Sequence, residues 1–145
     1  MTDTTEDLRL TLSRHLDAPV ERVYQAWLDP ALLVRFMGNP QRAHLARAET
    51  DPRVGGRFVL VMNNGEKDID HTGTYLQLTP HSRIAFTWQS PYSTAEGSTV
   101  TLDLVPEAEG THLTLTHVRF ASESSRDGHR SGWATILDGL AAASL

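Results

Sequence analysis

Asp17-Ala18-Pro19-Val20-Glu21-Arg22-Val23-Tyr24-Gln25-Ala26-Trp27-Leu28-Asp29-Pro30 is the stretch on which the fold turns. Asp17 or Ala18 can cap a helix with Pro19 in its first turn, where a missing N–H costs nothing. Val20, Val23, Tyr24, Trp27 and Leu28 recur at i, i+3, i+4, i+7 and i+8, which makes one buried helical stripe. Asp29-Pro30 stops that helix and starts a second short one carrying Leu32, Leu33 and Phe36, which Gly38-Asn39-Pro40 breaks. Upstream, Leu8, Leu10, Leu12 and Leu16 alternate at period two with Arg14 in the same register, the mark of a strand with one apolar face. A strand therefore feeds two proline-started helices.

Downstream the period changes to that of strands. Residues 43–50 read as a weak strand and Gly55-Gly56 as a turn or bulge. Phe58, Leu60 and Met62 share a face, and Asn63-Asn64-Gly65 reads as a hairpin turn because Asn-Gly accepts positive φ. His71, Gly73, Tyr75 and Gln77 share a face of the next strand, Thr79-Pro80-His81-Ser82 turns the chain, and Ile84, Phe86 and Trp88 alternate. After a polar loop from Ser90 to Gly97 come Val100, Leu102 and Leu104, an acidic turn from Glu107 to Gly110, and then Leu113, Leu115 and His117. From about Ser124 to Leu145 the period is helical again, with His129, Trp133, Ile136, Leu137 and Leu140 on one stripe. Gly128, Gly132 and Gly139 each weaken that helix by roughly 1 kcal/mol relative to Ala. They mark either close approach to a sheet or ligand, or simple tolerance. The order β-α-α-β6-α predicts an α+β domain. Six consecutive strands form an antiparallel meander, the first strand joins one end, and the seven-stranded sheet curves around the closing helix. Such an arrangement leaves a cavity between sheet and helix.

Composition narrows the function. The 145 residues suit one domain, residues 1–145, with 1–7 expected to be flexible. A net charge of −5 with only 13 Lys+Arg argues against a nucleic-acid partner and against anionic membranes. No cysteine is present, so there is no disulfide, thiolate nucleophile or Cys-type zinc site. The acidic start Met1-Thr2-Asp3-Thr4-Thr5-Glu6-Asp7 lacks the pattern of a signal peptide, and no apolar run is long enough to insert in a membrane. A cytoplasmic protein is expected.

The residues from Arg14 to Trp27, with Asp29-Pro30, resemble the N-terminal signature of START-like helix-grip (SRPBCC) proteins. They are most similar to the branch named after the C-terminal domain of the heat-shock-protein-90 ATPase activator. Asp51-Pro52-Arg53-Val54-Gly55-Gly56-Arg57-Phe58 with Met62, then Gly73-Thr74-Tyr75, then Gly132-Trp133 with Leu137-Asp138-Gly139-Leu140 agree in the same order. The resemblance spans nearly the whole chain and implies the helix-grip fold. Members of that fold include lipid carriers, polyketide cyclases and hormone receptors, so fold alone does not fix activity. Where many relatives carry paired tryptophans after the second helix, this chain has Arg35-Phe36-Met37-Gly38. The sequence shows no counterpart of the chaperone activators' additional N-terminal domain, so a chaperone partner is not expected. A homodimer is allowed but demanded by nothing.

Chemistry-bearing patterns are sparse. Gly128-His129-Arg130-Ser131-Gly132 has the wrong spacing for a nucleophile elbow. His112 and His117, five apart, point to opposite faces of a strand, and Asp68 and Asp70 sit beside a turn. Neither a catalytic residue, a metal nor a cofactor is expected. The expectation is a small hydrophobic ligand between sheet and closing helix, walled by Trp27, Phe36, Phe58, Met62, Phe86, Trp88, Trp133 and Leu137, with His71, Tyr75 and His117 as polar contacts. Two alternatives stand beside it. One is a cyclase, aldol-type or hydrolase enzyme with His117 or His71 as base and Tyr75 as donor. The other is a chaperone-type interaction module, which would expose a large apolar patch.

Overall fold

The computed structural model describes residues 8–37, 44–63, 66–91, 98–143 and 145. The chain runs β1 (Arg9–Leu16), α1 (Val20–Ala26), α2 (Pro30–Leu33), β2 (His44–Thr50), β3 (Arg57–Asn63), β4 (Asp68–Thr79), β5 (Arg83–Thr87), β6 (Thr99–Glu107), β7 (Gly110–Val118) and α3 (Glu123–Ala142). All strand pairs are antiparallel, in the order β1-β7-β6-β5-β4-β3-β2. The meander is thus β2 to β7, with β1 added beside β7, and α3 packs across its inner face. The tip of the Asn63-Asn64-Gly65 turn, the break at Gly38-Asn39-Pro40, most of the Ser90–Gly97 loop and the N-terminal seven residues lie outside the described residues.

Register explains the core. Residues directly opposite in an antiparallel pair share a face. Leu10 opposes His117, His117 opposes Val100, Val100 opposes Phe86 and Phe86 opposes Tyr75, one inward row across five strands. A parallel row joins Leu12, Leu115, Leu102 and Ile84. On the far side, Phe58 lies opposite Gly73, and Leu60 opposite His71. That glycine is required: a Cβ there would collide with the Thr87 carbonyl and the Phe58 ring. The Phe58 ring lies against Tyr75, Phe86 and Trp88 at centroid distances of 5.4, 5.2 and 6.1 Å.

Local chemistry departs from the sequence reading at three places. Pro19 is the N-cap of α1 and not a first-turn residue; its carbonyl accepts from the Arg22 and Val23 amides, and no side chain caps the helix. A register shift between Tyr75 and Gln77 puts an extra residue into β4, so Gln77 turns outward and Leu78 takes the inward position opposite Ile84. Helix α3 ends at Ala142, three residues short of the expected Leu145. Neither Asp17 nor Ala18 caps α1, but α2 does start at Asp29-Pro30: the Asp29 carboxylate accepts from the Ala31 amide, with Pro30 opening the helix. Ser122 does the same for α3 through Ser125 N–H.

Arg14 shares the inward register of β1 and reaches α3, where its Nε donates to the Asp138 carboxylate at 2.9 Å. Both side chains are substantially exposed, so this pair adds at most about 1 kcal/mol. Apolar seating of Trp133, Ile136, Leu137 and Leu140 holds the helix. Gly73→Ala should destabilise the protein by about 1–3 kcal/mol, because the added methyl has no room beside Phe58. Urea denaturation measures it, and an unchanged midpoint would contradict this packing.

Candidate functional site

The polar centre of the interior is built on three elements. His117 near the end of β7 is fully buried. Its Nδ1 lies 3.0 Å from Trp133 Nε1 on α3, and its Nε2 lies 2.6 Å from Ser98 Oγ, just before β6. An indole N–H only donates, so Nδ1 is the acceptor. The neutral ring therefore carries its proton on Nε2 and donates it to Ser98. Burial pushes the His117 pKa down to about 3, with His129 adding to the effect. His117 is thus a clamp for Trp133, with both of its nitrogens committed.

Trp133 is the junction of the aromatic cluster. It lies 4.9 Å from Trp88 and 6.4 Å from Trp27, between centroids. Trp27 in turn meets Phe36 edge-on at 5.1 Å. Beyond Trp133 toward the N-terminus of α3, large side chains give out. The helix positions at Ser124, Ser125, Gly128, His129, Gly132, Trp133 and Ile136 form one continuous stripe, and they line a pocket with Met62, His71, Trp88, Ser90 and Ser122. Its volume is about 610 Å³, within the range of small-molecule sites. No Asp, Glu, Lys or Arg side chain lines it among the described residues. His71 sits beside Trp88, ring centroids 5.2 Å apart, with its Nδ1 3.2 Å from the Ile69 carbonyl; burial lowers its pKa. His129 lies edge-on to His117 at 5.3 Å, and burial lowers its pKa too.

The eleven residues singled out in the sequence are distributed as follows. Met62, His71, Trp88 and Trp133 meet at the pocket. Trp27, Phe58, Tyr75 and Phe86 surround a separate void of only about 10 Å³, barely one water. Phe36 and Leu137 belong to the packed core, and His117 stands behind Trp133. No histidine bonds to Tyr75 among the described residues; its ring neighbours are Phe58 and Phe86, and burial raises its pKa. The sequence reading missed Ser90, Ser122, Ser124, Ser125, Gly128, His129, Gly132 and Ile136 as pocket residues. A signal was present: north of Trp133 the buried-face stripe of α3 runs through serines and glycines instead of large apolar residues. Among the described residues the large exposed apolar side chains are Val34, Val54, Leu76 and Val105, widely separated in the sequence. Among the described residues no group of His, Asp or Glu could hold a metal ion, and no helix is long and apolar enough to cross a membrane.

A curved antiparallel sheet closed by one long C-terminal helix, with a pocket between them, is the architecture of the SRPBCC superfamily, whose members commonly bind hydrophobic ligands. The chain belongs to the family of activator of Hsp90 ATPase homolog 1-like proteins, whose model matches residues 17–144. Similar solved structures include protein CV1439 from Chromobacterium violaceum, 28% identical, with TM-score 0.80 and coverage of 93% of this chain and 95% of that one. The AHSA1-like protein from Aeromonas hydrophila is 26% identical, with TM-score 0.76 and coverage of 91% and 88%. Protein NE0264 from Nitrosomonas europaea is 25% identical, with TM-score 0.77 and coverage of 92% and 91%. Among curated proteins none matches the chain.

The histidines set a pH dependence. As pH falls below 6.5 the unfolded chain takes up a proton at His117, while the folded protein refuses it until about pH 3. Stability is therefore full above pH 6.5 and declines toward pH 3, by up to about 1.4 kcal/mol per pH unit from this group. His71 and His129 act in the same sense. His15, raised by Glu107 at the surface, opposes them weakly through solvent. The urea midpoint should be lower at pH 5 than at pH 7.5. Nitrogen-15 NMR at pH 7 should show His117 protonated at Nε2; the Nδ1–H tautomer would contradict the clamp.

Proposed function

We propose that this protein binds one small, largely apolar molecule in the pocket between α3 and the β3–β5 region of the sheet. Met62, Trp88, Trp133 and Ile136 form the apolar wall. His71, His129 and the serines supply orienting polar groups. Trp27, Phe36, Phe58, Tyr75, Phe86 and Leu137 hold that wall from behind, and His117 fixes Trp133.

One observation carries the reading. At Gly128 and Gly132 an added Cβ would meet nothing within 4 Å, and neither glycine has a positive φ. Gly56, Gly73 and Gly110 are different, since a Cβ at each would strike backbone. Gly128 and Gly132 are therefore required neither by packing nor by backbone conformation, yet each lowers helix stability by roughly 1 kcal/mol relative to Ala. What they do provide is bare helix surface facing the pocket.

Gly132→Ala should raise stability by about 0.5–1 kcal/mol, and Gly132→Phe should fill the pocket while the protein stays folded. Titration with a neutral, environment-sensitive naphthalene dye, read by dye emission and by quenching of tryptophan fluorescence, should show binding to the parent protein and none to Gly132→Phe. Equal binding by both proteins would place the dye elsewhere and count against this pocket.

A further inference from the structure

The hydrogen-bonding state of one pocket residue is decided by its neighbours. His129 Nδ1 lies 2.8 Å from the Ser125 carbonyl one turn earlier in α3. A carbonyl only accepts, so Nδ1 carries the proton. The imidazole packs between His117 and Phe120, at 5.3 and 5.2 Å between centroids. Burial there disfavours a second proton. A neutral ring protonated at Nδ1 leaves Nε2 as a lone pair, and Nε2 makes no hydrogen bond among the described residues. The ring lines the pocket.

Among the described residues the rest of the lining carries no charged side chain. Six of its twelve residues are the serines 90, 122, 124 and 125 with His71 and His129; the others are Met62, Trp88, Trp133, Ile136 and two glycines. An anion would lose hydration against the apolar part of this wall and meet no lysine or arginine side chain among the described residues. A cation would find no carboxylate among the described lining residues. An apolar molecule with no donor would leave Nε2 desolvated and unpaired, a cost to binding.

We propose, on the basis of the pocket reading above, that the ligand is an uncharged apolar molecule bearing a hydroxyl, of the phenol or alcohol class, which donates its hydrogen bond to His129 Nε2. His129 is then the residue that sets specificity in this site, while Trp88 and Trp133 supply the apolar contact.

Three probes of one shape separate the cases: β-naphthol, its methyl ether and β-naphthoate, titrated at pH 7.5 by calorimetry and tryptophan quenching. The parent protein should bind β-naphthol about tenfold more tightly than the methyl ether, as one buried hydrogen bond implies, and should bind the naphthoate more weakly still. His129→Phe keeps the ring's bulk and should bind naphthol and ether within about twofold of each other; His129→Gln, which retains an acceptor, should recover part of the preference. The proposal is overturned if the ether matches naphthol on the parent protein, or if the preference survives in His129→Phe. It is overturned equally if the naphthoate binds best, which would point to the positive end of α3 as the recognition element. Binding of none of the three would instead remove the pocket reading itself, and the specificity proposal with it. The parent-protein comparison stands even if a variant does not fold.

Discussion

The hydrogen bond from the Trp133 indole to His117 is the constraint around which the interior is arranged. It joins the long helix to β7, one strand in from the sheet edge, in a place where neither partner reaches water. A donor-only indole there forces the imidazole to be neutral and in one tautomer, whose Nε2–H in turn donates a hydrogen bond to Ser98 Oγ. The bond fixes the rotation of α3 as well as its distance from the sheet. With Trp133 held, Ile136, Leu137 and Leu140 meet the core on one side, and the small-residue half of the stripe faces open volume on the other.

Core and pocket therefore share one helix and divide it by side-chain size. Toward the C-terminus the stripe is large and apolar, and the space is filled. The aromatic cluster of Trp27, Phe58, Tyr75 and Phe86 closes to a void of about 10 Å³. Toward the N-terminus the same stripe is Ser and Gly, and about 610 Å³ is left. Trp88 lines both spaces and is the partition between them. The pocket is thus the result of leaving one face of a helix bare on an otherwise well-packed scaffold.

The fold was readable because its signals were local and redundant. Two Pro-started helices, period-two runs separated by turn residues, and one late helical stripe leave few topologies for a chain of this order. The site was harder to read because a cavity and a core use the same residue types. Phe58, Tyr75 and Phe86 alternate as well as Trp88 does, and only packing distance tells which ring faces filled and which faces open space. His117 was visible as an inward residue, but its role depends on Trp133, sixteen positions away on another element. His129 was read as part of the apolar stripe, since nothing local to it announces the lone pair its contact with Ser125 leaves. The β4 bulge is a different failure: an inserted residue flips facing without altering composition, so Gln77 looked inward by parity alone.

The most direct measurement is native mass spectrometry of the protein gently purified from its own cells, followed by denaturing release. If α3 stands off the sheet to hold a ligand, part of the population should carry a single neutral small molecule at one-to-one stoichiometry, lost on denaturation. A protein at its bare mass throughout, which also gains no mass when incubated with the apolar extract of those same cells, would contradict the claim that this pocket is a ligand site.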